Sequence, residues 1–272
     1  MFLHFARLIV PLEKVLTLKH TKVFAFCSLN RTFAKVINFK NFMIISISKH
    51  LYTFIYNEKK GERGEERETF IPRNGISIGA NLREAFRSVG LMSRDDSSVL
   101  VQIDTPTVQV PEEEFNEADA PTLFYRCFDE RKGHEVMHSE LSDLRCVLLF
   151  EVSKDMLQVL GERFRQVTVE PFMLHVWQNQ YRQSEQGLWK KLYVFFHDQN
   201  MELFAFDPGR FRFCNQFDAK YATDCTYFIL NAWQQMGFNP ERDELHLLGS
   251  HKQLAEIEAA LAKHIRKIKT HS

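Results

Sequence analysis

The strongest constraint on the fold is an order of apolar patterns that occurs twice. Three short runs of alternating apolar and polar residues precede an amphipathic helical segment and then a buried strand. The runs are MIISIS, LYTFIYN and ETFIPRN in the first copy, and LWKKLYVFFH, MELFAFD and RFRFCNQF in the second. Corresponding elements begin at a nearly constant spacing: Met43 and Lys190 for the meander, Gly79 and Thr223 for the helix, Ser97 and Glu244 for the later strand. This spacing indicates two α/β halves of one topology.

Each half is predicted to close with a helix. SKDMLQVLGERF begins at Ser153, a residue type favoured at helix N-caps, and KQLAEIEAALAKHIRKI follows the later strand of the second copy. The end of the chain, HIRKIKTHS, is predicted to be a basic helix terminus that frays in solvent. These assignments place the first subdomain at residues 43–165 and the second at residues 166–272.

The first 42 residues differ in composition from the rest of the chain. They hold seven Lys and Arg and one acid, Glu13. The segment has no long apolar region and no small-residue cleavage pattern, so a secretory signal is not predicted. Because Met43 opens a strand pattern, we predict that translation starts near it or that the extension is loosely attached. A surface anchor or a transit-like peptide remains the alternative.

The overall composition is that of a globular protein with no charge bias. The 272 residues are 44% hydrophobic and carry a formal net charge of zero, which gives no argument for nucleic acid or an anionic membrane as partner. No apolar run approaches the roughly 20 residues of a membrane span. Five scattered cysteines without a CxxC pair are typical of reduced thiols in a cytosol. We therefore predict a cytoplasmic protein.

The C-terminal stretch ATDCTYFILNAWQQMGFNPERDELHLLGS resembles an uncharacterised bacterial family of unknown function that has an actin-like ATPase fold. The likeness extends from about Met43 to Ile268. The doubled order of meander, helix, strand and helix is similar to that of sugar kinases, heat-shock chaperone ATPases and actin relatives. The resemblance implies a duplicated actin-like, ribonuclease H-like α/β fold with a cleft between its halves.

The same resemblance implies where a nucleotide site should lie. Active members place a phosphate loop in the first hairpin of each half, with an acidic residue for the metal or water and glycines for close backbone approach. Here the first hairpin, SISKHLYTF, has no Asp and no Gly; the second, FFHDQNMELF, has Asp198 and no Gly. The expected adenosine loop is LLGSHKQL, with Gly249 alone. We interpret these loops as a degenerate nucleotide-binding site and predict no catalytic residue.

The candidate ligand-binding residues lie in these three loops: Lys49, His50, Asp198, Asn200, Gly249 and Ser250. Our hypothesis is a non-catalytic protein that needs no cofactor and binds a protein or a small ligand in the cleft. The alternative is an ATP-binding protein or ATPase in which Asp198 organises Mg²⁺ and the Gly249 turn accepts adenine or ribose. A simpler interpretation is that all six are turn residues without a ligand.

A second motif of interest is HEVMH, which matches the zinc-protease pattern HExxH. In a helix, His134 and His138 would share a face and bind Zn²⁺, and Glu135 would activate water, as a zinc hydrolase requires. The polar flanks RKG and SELSD and the absence of a close third ligand disfavour that interpretation. We predict a strand or a hairpin instead; in a strand, His134 and His138 lie on one face and Glu135 on the other.

Overall fold

The computed structural model describes residues 41–58, 66–94, 98–197 and 199–271. The N-terminal extension lies outside the described residues as far as residue 40, so the predictions made for it stay predictions. Within the described residues, the chain forms two five-stranded sheets, one three-stranded sheet and the helices that cover them.

Thirteen strands and six α-helices follow one another along the described residues. The strands are β1 Asn41–Ile47, β2 Tyr52–Glu58, β3 Glu66–Phe70, β4 Ser98–Ile103, β5 Thr107–Pro111, β6 His134–Leu141, β7 Cys146–Ser153, β8 Gln166–Pro171, β9 Lys191–His197, β10 Asn200–Asp207, β11 Arg210–Asp218, β12 Glu244–Gly249 and β13 Lys267–His271. The helices are α1 Ile78–Ser88, α2 Ala120–Tyr125, α3 Lys154–Arg163, α4 Phe172–Ser184, α5 Ala222–Gln235 and α6 Leu254–Leu261.

The two large sheets have the same strand order. The first is β3-β2-β1-β4-β8 and the second is β11-β10-β9-β12-β13. In each sheet the three meander strands are antiparallel, and the two later strands run parallel to the first meander strand. The predicted fold class, two α/β halves that each contain a meander followed by helix and strand, is therefore confirmed. Equal order in both sheets is also what we expect of an internal duplication.

Alternating burial explains why these segments form half-buried strands. In β1, Met43, Ile45 and Ile47 are buried, whereas the residues between them are half-buried. The buried face packs against α1 and α3 in one apolar cluster. Helix α1 begins where the Ser77 side chain accepts a hydrogen bond from the Ala80 N–H at 3.2 Å. The same arrangement recurs in the second half, where α5 and α6 cover the second sheet.

The three-stranded sheet, ordered β5-β7-β6, is inserted between β4 and α3. Its central strand β7 is buried because other elements surround it. Phe150 packs with the first sheet, Leu149 packs with α2, and Leu148 packs with α4 and the second sheet. HEVMH lies in the strand β6, which agrees with the strand predicted for it. This small sheet therefore ties the two halves together.

The prediction for the C-terminal end of the chain is wrong in one respect. The last helix does not continue to Ile268: α6 ends at Leu261, and β13 pairs in parallel with β12. The expected frayed tail is thus a sheet strand. Buried Ile265 and half-buried Ile268 pack into the second core. The reason is tertiary, because β13 satisfies backbone N–H and C=O groups that β12 would otherwise leave open at its edge.

The division into subdomains at residue 165 remains a prediction. Strand β8 hydrogen-bonds to β4 of the first sheet, so that boundary separates β8 from its own sheet. Helix α4 follows β8 directly and leads to the second sheet. Within the part of the chain that the structure describes, no helix combines the length and apolar character that crossing a membrane requires.

Candidate ligand-binding site between the two halves

The ends of β4 and β9 meet where the two halves face each other. Asp104 follows β4, and its N–H donates to the Ile47 carbonyl at 2.9 Å, which holds it beside the end of β1. His197 ends β9, and its Nδ1 lies 3.6 Å from Asp104 Oδ2. Both side chains are largely buried, with 11% of His197 and 19% of Asp104 exposed. This pair is not among the residues predicted from the sequence. The available signal was an acid just after a buried parallel strand, where open α/β sheets bind ligands.

A buried carboxyl group, Glu202 of β10, lies close to this pair. Burial raises its pKa to about 7, the nearby His197 lowers it and the Asp104 carboxylate raises it. Glu202 lines a very small cavity together with Gln109 and Cys214, whose Nε2 and Sγ are 3.5 Å apart. The junction between the halves therefore contains two carboxyl groups and one imidazole.

The first hairpin turn uses its own backbone donors. The Ser48 N–H donates to the Leu51 carbonyl at 3.0 Å, and the Leu51 N–H donates to Ser48 Oγ at 3.2 Å. Lys49 and His50, two of the predicted site residues, occupy the exposed corner of this turn. The turn therefore does not present these N–H groups to a phosphate.

The second hairpin and the late loop lie at one end of the second sheet. Asn200 pairs with His197 at the start of β10, whereas Asp198 lies outside the described residues. Gly249 has φ +77°, and a Cβ there would lie only 2.2 Å from the Phe196 carbonyl oxygen. In this chain the close backbone approach of β9 requires the glycine. The next residue, Ser250, is exposed.

A cavity of about 280 Å³ lies between α4 and the ends of the strands of both sheets. From the sheets it is lined by Gln102, Phe195, Leu248, Gly249 and His271, and from α4 by Phe172, His175, Val176, Asn179 and Gln180. Gly249 is thus the one described site residue of the prediction that lines this cavity. The lining does not include the other four predicted residues that the structure describes, Lys49, His50, Asn200 and Ser250.

The polar groups around the cavity form short chains of hydrogen bonds. His175 Nε2 lies 2.8 Å from Glu170 Oε2. His271 Nε2 lies 3.0 Å from His246 Nδ1, and His246 Nε2 lies 3.1 Å from Glu244 Oε2. Burial lowers the pKa of His246, with the Glu244 hydrogen bond opposing this effect. These hydrogen bonds hold in position the imidazole rings of His175 and His271, the two histidines that line the cavity.

The HEVMH motif does not form the helix that a zinc hydrolase of this pattern needs. It lies in β6, where His138 packs on the Phe115 ring at a centroid distance of 5.0 Å and His134 Nδ1 lies 3.2 Å from the Lys132 carbonyl. Across the described residues, no group of three or more His, Cys, Asp or Glu is placed to hold a metal ion. The zinc arrangement is therefore not present at this motif.

The strand order and the cleft between two similar sheets define an actin-like ATPase fold. The chain belongs to a family of proteins of unknown function, DUF3822, whose model matches residues 32–268. It is similar to a crystal structure from Bacteroides thetaiotaomicron, described as a protein with actin-like ATPase fold and unknown function, with a TM-score of 0.78 and 24% identity over 85% of this chain and 91% of that chain.

A second similar structure is the PilM-PilN type IV pilus biogenesis complex, with a TM-score of 0.58 and 11% identity over 85% of this chain and 88% of that chain. At these identities both likenesses show the fold alone. None of the curated proteins matches the chain. The predicted resemblance to an uncharacterised family with an actin-like fold is confirmed.

An ATPase fold implies ATP with Mg²⁺, and the described residues do not fit it. The Phe196 carbonyl occupies the space beside Gly249 that a Cβ would take. The N–H groups of Ser48 and Leu51 bond within their own turn. No Lys or Arg is among the described residues that line the cavity. A triphosphate would thus gain neither these backbone N–H groups nor a Lys or Arg partner in the cavity.

Proposed function

We propose that this protein is a non-catalytic member of the actin-like fold that binds a small ligand in the cleft between its halves. The contact between Asp104 and His197 carries this proposal. A triphosphate between these strand ends must separate the pair and lie beside the Asp104 carboxylate, which repels its charge. The cavity beside α4, which is lined by residues of both sheets, is the space that a small ligand can occupy.

A protein partner is the second candidate occupant of the cleft. It is supported by the structural neighbour PilM, which was solved in complex with another protein, PilN. The neighbour shares only the fold with this chain, so neither the partner nor its binding mode carries over. Co-purification with a tagged chain, followed by identification of a stoichiometric partner, tests this candidate.

Titration with Mg-ATP separates our proposal from the alternative in which the protein binds ATP through divergent loops. We expect no thermal shift, no heat of binding and no phosphate release, because the Ser48 and Leu51 N–H groups bond within their own turn and no Lys or Arg is among the described residues that line the cavity. A clear shift that Asp198→Ala abolishes would establish ATP binding and overturn the proposal. Asp218→Ala is the matched control, since Asp218 is exposed at the end of the neighbouring strand β11.

We also propose a cytosolic location. The described cysteines are free thiols, and burial raises the pKa of Cys146 to about 12 and that of Cys225 to about 11. Buried neutral thiols of this kind act as small apolar side chains and suit a reducing compartment. Fractionation of cells that express the tagged chain tests the location, and recovery outside the cytosol would contradict it.

A further inference from the structure

The cavity beside α4 combines an aromatic wall with amide side chains. The rings of Phe172 and Phe195 have centroids 5.8 Å apart and planes tilted by 35°. Gln102, Asn179 and Gln180 supply three amides to the same cavity. Its described lining contains no Lys, Arg, Asp or Glu. A fully charged ligand would therefore lose its hydration there without gaining an ion pair in return.

The two imidazoles at the cavity do not change this conclusion. Glu170 lies 2.8 Å from His175 and balances any charge on that ring. His271 bonds to His246, which in turn bonds to Glu244, so this series of hydrogen bonds also ends at a carboxylate. Neither ring makes the cavity a site for phosphate or carboxylate.

Gln180, one of the residues that line the cavity, has a buried polar atom without a partner among the described residues. Gln180 Oε1 is shielded from solvent and accepts no hydrogen bond from the part of the chain that the structure describes. Buried acceptors in folded proteins are almost always paired, because an unpaired one costs stability. A turn of the Gln180 side chain that brings Oε1 to the cavity lets a ligand N–H group donate to it, which removes this cost and gains affinity and specificity.

We propose that the cavity binds a small uncharged compound that joins a planar ring to a carboxamide, with the ring against Phe172 and Phe195 and the carboxamide paired with Gln180. A carboxamide offers both a donor and an acceptor, so it complements a glutamine amide in either orientation. The volume of about 280 Å³ suits a compound built on a single ring. This inference rests on the proposed function, because it names the ligand class for the same cleft.

Four small probes test the ligand class by calorimetry and thermal shift on the full chain. Benzamide and nicotinamide carry the ring and the carboxamide, benzoate replaces the amide with an anion, and toluene has no polar group. We expect both carboxamides to bind, and benzoate and toluene to bind at least about tenfold more weakly. Equal binding of all four probes, or no binding of the carboxamides, would overturn the proposal.

Two methionine variants on α4 locate the binding site. Gln180→Met keeps the side-chain length and removes the acceptor, so we expect the Kd of benzamide to rise at least about tenfold. Gln183→Met lies on the same helix at an exposed position and should leave the Kd unchanged. Unaltered affinity in Gln180→Met would show adventitious binding elsewhere.

Backbone amide shifts of the unaltered protein keep the test decisive if Gln180→Met does not fold. Benzamide should perturb Phe195, Leu248 and Gly249, which line the cavity. Perturbations confined to other regions overturn the proposal. If neither the carboxamides nor Mg-ATP binds, the ligand class alone is rejected. If Mg-ATP binds and Asp198→Ala abolishes that binding, the proposed function itself is rejected.

Discussion

Glu202 is a carboxyl group held inside the second half, next to the residues that join the halves. Its burial makes the charged form costly, which is why its pKa rises to about 7. The imidazole of His197 favours the charged form and the carboxylate of Asp104 opposes it. The buried thiol of Cys214 lines the same small cavity, and its own pKa is raised by burial and by Glu202. The protonation of this group is therefore linked to folding.

We predict that the free energy of unfolding falls as the pH rises from 4.5 to about 7 and then levels off. The folded state holds a proton on Glu202 across this range and the unfolded state does not, so raising the pH favours unfolding. Over this whole pH range, the raised pKa of Glu202 changes the free energy of unfolding by on the order of 3 kcal/mol. Glu202→Gln should remove this dependence in urea titrations at several pH values, whereas exposed Glu114→Gln should preserve it. Identical pH profiles for wild type and Glu202→Gln would contradict the assignment.

Single residues also show what the sequence could not predict. A glycine at 249 was predictable as a loop residue, but the pattern gave no means to distinguish a glycine that admits a ligand from one that admits a neighbouring strand. The Phe196 carbonyl decides this, since it occupies the position of the missing Cβ. Asp104 and His197 were each visible at the ends of predicted strands. Their contact was not, because it forms between separate halves of the chain.

The terminal strand β13 is the element that sequence periodicity misassigned. Its residues continue an amphipathic helical pattern, yet the edge of β12 offers unpaired backbone groups that a helix at this position would not satisfy. Pairing with β12 also places His271 against His246 and Lys269 against Glu244. Long-range pairing has overridden local propensity here.

Removal of residues 267–272 should therefore destabilise the second half. We expect a loss of at least about 2 kcal/mol, since each lost ladder hydrogen bond contributes about 1 kcal/mol. Amides of β12 should also exchange faster with solvent in hydrogen-exchange measurements. Thr270→Ala keeps the backbone pairing at an exposed position and serves as the control. Unchanged protection of β12 in the truncated chain would show that β13 does not contribute to the fold's stability.

At the scale of the whole molecule, one apolar cluster connects the halves. It contains Leu148 of the small sheet, Trp177 of α4, and Tyr193 and Phe204 of the second sheet. The Trp177 ring meets Phe211 edge to face at a centroid distance of 5.2 Å. Because β7 also enters the core of the first sheet, we infer that the two halves unfold together.

Trp177→Ala should lower the midpoint of a single calorimetric transition for the whole chain. The expected cost is about 3–5 kcal/mol, as for other large aromatic residues removed from a core. Trp189 is 40% exposed, so Trp189→Ala should cost less than about 1 kcal/mol. Two separate transitions, of which Trp177→Ala moves only one, would contradict the coupling.

The sequence by itself determined the two meanders, the helices that follow them and the loops without phosphate-binding glycines. Those features follow from short-range alternation and residue type, which act within a few positions of the chain. Only the tertiary structure decided the pairing of β13 with β12, the junction at Asp104 and His197, and the cavity beside α4. Each of these depends on which distant segments pack together, and periodicity reports whether a residue is buried but not which partner buries it.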